Sequence, residues 1–302
     1  MFYRLNSLYA TLIIFCFAYS VLLSIGVLGF GDDFYAVYSR PNFYQGGLWD
    51  RLGYLISTLT ILDLKIGVFS VAFLLSFSLG YFLLSDRVLC RNGGIFYLVF
   101  VPLLFSWPII LSILNAMRQG VLLSIYFFAL GYFIRTNKIS LRLIALGLVS
   151  HKSGVFFFIP MFLFGKMSTI NKYFILILSI ICCLFLYFFL VSVDYLGTRE
   201  SYGFSLSNQF LFSTLAIASF TFLQKSKFIL NYIVFYSIVL TAFYLSDFTI
   251  HYERLWMLFM IPYAVLFIRV FLSCNRIGLY FLFSYFSFFV TVFFGVYNRA
   301  LS

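Results

Sequence analysis

Residues 138–166 read KISLRLIALGLVSHKSGVFFFIPMFLFGK, and the reading of this stretch decides how the rest of the chain is threaded. Its apolar core is interrupted by His151-Lys152, which leaves two halves of about a dozen residues each. Twelve helical residues rise roughly 18 Å, about half the hydrocarbon thickness of a bilayer. The stretch is therefore either one broken crossing or a helical hairpin that enters and leaves by the same side.

On both sides of it lie uncharged runs. They are Leu5–Gly31, Ile66–Ser85, Ile95–Met117, Gln119–Ile134, Tyr173–Val193, Ser201–Gln224, Phe228–Ser246, Leu255–Ile268 and Ile277–Asn298. A crossing needs about 20 mostly apolar residues, so these are nine expected transmembrane helices. Strands of a membrane barrel would alternate over segments near 10 residues, and these runs are continuous and longer. The expected fold is all-α: a single integral membrane domain, residues 1–302, with nine spans and a re-entrant hairpin at residues 139–165. Leu5–Gly31 exceeds the apolar core of a signal peptide, about 7–15 residues, and no small-residue cleavage site follows it; it is expected to be the first anchor. Composition agrees. Of the 302 residues, 64% are apolar and 10% charged, against roughly 45–50% and about 25% in soluble proteins. A soluble enzyme and a secreted disulfide scaffold are excluded.

Basic residues gather on the cytoplasmic side of membrane proteins. With the N-terminus inside and a hairpin at 139–165, the inner side collects twelve: Arg4, Arg87, Arg91, Arg135, Lys138, Arg142, Lys166, Lys172, Lys225, Lys227, Arg269 and Arg276. The outer side holds seven: Arg40, Arg51, Lys65, Arg118, Arg199, Arg254 and Arg299. A single crossing at 139–165 would flip everything after it and leave nine inside against ten outside. The hairpin fits the rule better. Eight of the nine acids, all but Asp86, then face outward. The net charge of +11 is thereby explained by cytoplasmic loops, with no nucleic-acid partner. No cysteine falls in an outer loop, and neither histidine has a metal-ligand spacing; neither a disulfide framework nor a metal is expected.

Chemistry is sought where polar residues break the apolar pattern. The outer loop 31–65 opens with Gly31-Asp32-Asp33-Phe34-Tyr35 and continues through Tyr38, Tyr44 and Trp49-Asp50. Its aromatics form either an interfacial belt or, together with carboxylates that accept hydrogen bonds from hydroxyls, a sugar site. Arg118, in Asn115-Ala116-Met117-Arg118-Gln119-Gly120, follows an uncharged run. It either snorkels to lipid headgroups or holds phosphate oxygens bidentately. His151 and Lys152 lie within a membrane segment, where an ionisable group costs about 2.5 kcal/mol or more and is by default functional. His151 can serve as a general base or donor and Lys152 can neutralise phosphate, the alternative for His151 being a cap on the second half-helix. Asp247 to Arg254 packs four titratable residues into a short outer turn, and Arg254 either mixes with its neighbours' charges or faces the same cavity as Arg118.

Arg118-Gln119-Gly120, a span, a basic turn, an apolar half-helix ending in His151-Lys152-Ser153 and a second half-helix with Pro160 together resemble the signature of the O-antigen polymerase (Wzy) and EpsG-type family of bacterial polysaccharide polymerases. The acidic-aromatic Asp32-Asp33-Phe34-Tyr35 and the late Glu253-Arg254 are similar to two further motifs of that group. The resemblance covers about residues 30 to 270. A Glu-Pro pair common in the family's first outer loop is absent, with Trp49-Asp50 in its stead.

The resemblance implies a metal- and nucleotide-independent glycosyltransferase in the bacterial cytoplasmic (inner) membrane, with its N-terminus cytoplasmic and its active site facing the periplasm or exterior. It would move a growing glycan from undecaprenyl pyrophosphate onto a new lipid-linked repeat unit, using no cofactor. Arg118 and Arg254 would bind the pyrophosphate and His151 would activate the acceptor hydroxyl. Lys152 would sit with the phosphates, Asp32 or Asp33 would contact sugar and Tyr35 would stack on it. Beyond the lipid-linked oligosaccharide and the bilayer, the partners it implies are a chain-length regulator and a flippase. A lipid-linked oligosaccharide flippase or transporter and an O-antigen ligase are the alternatives. The hairpin has no counterpart in the other half, as an inverted-repeat transporter would require. The late outer loops, 194–206 and 246–254, are shorter than a ligase usually carries.

Overall fold

A computed structural model describes residues 2–28, 64–85, 87–105, 107–114 and 117–151, with the single positions 154, 157, 158, 161 and 181. Apart from the single position 181, the five expected spans from Tyr173 onward lie outside the described residues. The chain divides into two compact units, Met1–Ile159 with Ile277–Ser302, and Pro160–Arg276, and every described helix belongs to the first.

The described elements are all helical: α1 (Phe2–Ser24), α2 (Leu64–Leu83), α3 (Arg87–Arg91), α4 (Gly93–Leu104), α5 (Trp107–Leu114), α6 (Met117–Thr136) and α7 (Leu141–Ser150). α1, α2 and α6 are long and apolar enough to cross a membrane. They are largely apolar all round, yet among its described side chains α1 buries the stripe Leu12, Cys16, Tyr19, Ser20, Leu23 and Ser24, while Ile14 and Phe17 are 68% and 56% exposed. Aliphatic and aromatic groups shown outward in this way are consistent with a membrane-embedded helix. α1 stops earlier than the uncharged run that ends at Gly31, because Gly26 takes φ 80° and donates to the Leu23 carbonyl at 3.0 Å. Glycine enters that left-handed region without a Cβ penalty, which is how many helices end.

Ring contacts fix the helix directions. Phe17 packs on Phe69 at 5.4 Å, and Leu12 lies over Gly80, so α1 and α2 are antiparallel. Tyr97 donates to Thr11 Oγ1 at 2.7 Å, and Tyr19 donates to the Leu104 carbonyl at 2.8 Å, so α4 runs with α1. α6 runs with α2: Val71 meets Gly120, and Phe82 stacks on Phe127 at 5.8 Å. At the end where α1 begins and α2 and α6 finish, Arg135 joins all three helices. Its guanidinium donates to Tyr9 Oη and to the Tyr81 carbonyl, the latter at 3.3 Å, and lies 4.2 Å from the Tyr81 ring centroid. Arg118, seventeen residues earlier on α6, is at the opposite end, about 25 Å away along the axis.

The expected span Ile95–Met117 is divided into α4 and α5. Pro102 is accommodated inside α4, and the break falls just ahead of Pro108. Pro108 has no N–H for the carbonyl four residues back, which is Leu104, and Tyr19 Oη donates to that carbonyl instead. In hydrocarbon no water can take up a freed carbonyl, so the tyrosine makes the interruption tolerable. Tyr19→Phe is expected to lower stability by about 1 kcal/mol, read as a lower melting temperature of the full chain in detergent. A variant as stable as the parent would show that the carbonyl is satisfied some other way.

Candidate functional site at the α7 turn and the start of α6

After α6, the left-handed Asn137 (φ 54°) and a short connection return the chain. Ser140 caps α7, its Oγ accepting from the Leu143 N–H at 3.4 Å. α7 is ten residues long, about 15 Å, and cannot cross a bilayer. At His151 the backbone becomes extended (φ −159°, ψ 143°), and the Gly154 N–H donates to the His151 carbonyl at 2.8 Å.

The chain then folds back along α7. A Cβ on Gly147 would meet Phe158 Cε2 at 2.0 Å, and one on Gly154 would meet the Gly147 carbonyl oxygen at 2.5 Å. Eleven residues of continued helix would instead separate residues 147 and 158 by about 16 Å. Two glycines permit this closeness, because no side chain stands between the limbs. The returning limb is seated on α6. Phe157 and Phe158, fully buried, contact the buried Tyr126 ring at 4.8 and 5.7 Å, and Gly154 approaches Leu122.

Arg118, Leu122 and Tyr126 fall at i, i+4 and i+8 on α6, one face of a helix. The hairpin occupies the two lower positions of that face and Arg118 the uppermost. The turn that carries His151 thus lies about one helical turn, roughly 6 Å along the axis, below Arg118. Arg118 and His151 are both half-buried, and the Arg118 Nε is shut off from solvent. The first turn of α6 is held from behind by α5: a Cβ at Gly120 would stand 2.4 Å from the Ser112 carbonyl oxygen.

Of the residues singled out in the sequence, Arg118 and His151 are thereby brought to one region. Asp32, Asp33, Tyr35, Lys152 and Arg254 lie outside the described residues. Gly147, Gly154 and Tyr126 form the seat of the hairpin and were not singled out. Their signal in the sequence is faint, since glycine and tyrosine are common in membrane helices. Compared with protein-family models, curated proteins and solved structures, the chain matches none.

The two glycine contacts differ in a testable way. Gly147→Ala and Gly120→Ala should each cost about 1–3 kcal/mol through overpacking. Phe158→Leu, which removes the ring atoms facing Gly147, should restore the melting temperature of the first variant, whereas Gly120 faces a backbone carbonyl and no single side-chain change should rescue it. Rescue of neither, or of both by Phe158→Leu, would contradict the packing described.

Proposed function

We propose that the protein is a polysaccharide repeat-unit polymerase of the O-antigen, capsular or exopolysaccharide type, acting at the outer face of the bacterial cytoplasmic membrane. In this reading nine helices span the membrane and the limbs around His151 form a re-entrant hairpin open to the outside. What supports it is one juxtaposition: a guanidinium and an imidazole-bearing turn share the same end of one α6 face, in a chain where ionisable groups are scarce. The resemblance of Arg118-Gln119-Gly120 and His151-Lys152-Ser153 to the O-antigen polymerase and EpsG-type family points the same way.

The reaction joins two lipid-linked glycans. A hydroxyl at the non-reducing end of the incoming unit attacks the anomeric carbon of the growing chain. The bond from that carbon to the pyrophosphate oxygen breaks, and its electron pair leaves with undecaprenyl pyrophosphate. His151 accepts the hydroxyl proton as general base. Arg118, with Arg254 and Lys152, balances the charge developing on the departing pyrophosphate, a form of stabilisation strongest in a water-poor site. Asp32, Asp33 and Tyr35 hold sugar hydroxyls and a pyranose face. The phosphate linkage carries the energy, so neither a metal nor a nucleotide sugar enters.

A flippase is the second reading, favoured by the interruption between α4 and α5, since transporters bind substrate at discontinuous helices. Arg118→Ala and His151→Ala separate the two. In a host that attaches its glycan to lipid A, a polymerase predicts single repeat units on lipid A with no ladder, whereas a flippase predicts lipid-linked units retained on the cytoplasmic side. Arg118→Lys keeps the charge but loses the two-pronged geometry and should lower chain extension about tenfold or more. A normal ladder in both alanine variants would refute the roles of these residues.

A further inference from the structure

Beside Arg118 lies a second polar group that the proposed reaction does not use. Gln119 Oε1 is shut off from solvent, and no group among the described residues donates to it. Buried polar atoms in native proteins are nearly always paired, and each exception calls for an explanation. Leaving an amide unpaired destabilises the fold, and an apolar side chain of the same shape would avoid that loss.

Its position on α6 indicates what completes it. Gln119, Leu122 and Tyr126 fall at i, i+3 and i+7, so Gln119 belongs to the face on which the hairpin rests. Leu122 and Tyr126 are covered by Gly154, Phe157 and Phe158. Gln119 extends this stripe past the turn, as Arg118 does on its other flank. The two residues are consecutive, their Cα atoms about 3.8 Å apart, and both flank the Leu122–Tyr126 stripe, so one ligand can reach both. Their chemistries are complementary. A guanidinium only donates, which suits phosphate; a carboxamide both accepts and donates, which suits a hydroxyl and offers an oxyanion no more than its N–H.

We infer that Gln119 binds a hydroxyl of the sugar directly attached to the pyrophosphate that Arg118 holds, and so makes the site selective for a glycosylated polyprenyl pyrophosphate over the bare lipid. The inference rests on the polymerase reading for the identity of the lipid. It gives that site a means to release its product, because undecaprenyl pyrophosphate leaves without a sugar and lacks the Gln119 contact.

The test measures binding to the full chain in nanodiscs, with undecaprenyl pyrophosphate and with the same lipid carrying one oligosaccharide repeat unit as the two probes. Gln119→Leu is expected to weaken binding of the glycosylated lipid about tenfold or more, since a site built to pair a hydroxyl depends on that pairing. Binding of the bare lipid should be unchanged and the melting temperature should not fall. Arg118→Lys is expected to weaken both probes. If Arg118→Lys weakens both and Gln119→Leu weakens neither, or both alike, the Gln119 assignment fails alone. A melting temperature lowered by Gln119→Leu likewise overturns it, showing a structural role. If Arg118→Lys changes neither probe, the pyrophosphate reading fails and the inference with it.

Discussion

The seat of the hairpin on α6 is the contact on which the site depends. Phe158 lies across Gly147, and with Phe157 it closes on Tyr126. Without it α7 would be a ten-residue helix too short to span a bilayer, its open carbonyls meeting hydrocarbon. With it, the chain reverses against α6; within a membrane, non-helical backbone is tolerated only in protein or beside a water-filled cavity. The height at which Phe157, Phe158 and Gly154 grip Tyr126 and Leu122 also sets the height of His151 relative to Arg118.

The remaining helices hold α6 in place for that contact. α2 lies alongside it with Phe77, Tyr81 and Phe82 against Phe127 and Phe128. Arg135 ties its far end to Tyr9 and Tyr81. α5 crosses its first turn at Gly120. The end bearing Arg118 is thus braced by backbone packing and the end bearing Arg135 by a cation shared among aromatic rings. Buried serines along these helices, among them Ser20, Ser78 and Ser124, return their hydroxyls to carbonyls of their own helix at 2.6, 2.9 and 2.8 Å. They add no charge to the interior. Against that background, a half-buried guanidinium at 118 and a half-buried imidazole at 151 are set apart by their polarity.

How much could be read from the sequence depends on how each feature is encoded. α1, α2 and α6 correspond to uninterrupted apolar runs, and their existence could be read from length and charge alone. At His151-Lys152 the sequence showed an interruption and left a broken crossing or a hairpin open, the count of basic residues on the two sides alone favouring the hairpin. The division into α4 and α5 was not, because the runs were delimited by charge and a proline between apolar neighbours breaks a helix without altering hydropathy. The glycine contacts at 147 and 154 were hidden for a related reason: what matters there is the absence of a side chain opposite a particular neighbour, which only the packed chain reveals. Gln119 was visible as part of a motif, but its role depends on a missing partner, which sequence cannot display.

The central claim is that the turn at residue 151 and the start of α6 open to the same, outer side of the membrane. Single cysteines at 118, 151 and 225 would be introduced into a full-length chain whose five native cysteines are replaced. They would then be probed in intact cells and in inverted vesicles with a membrane-impermeant thiol reagent. The account predicts labelling of 118 and 151 from outside, and labelling of 225 only from the cytoplasmic side. Labelling of 151 from the cytoplasmic side alone would contradict it.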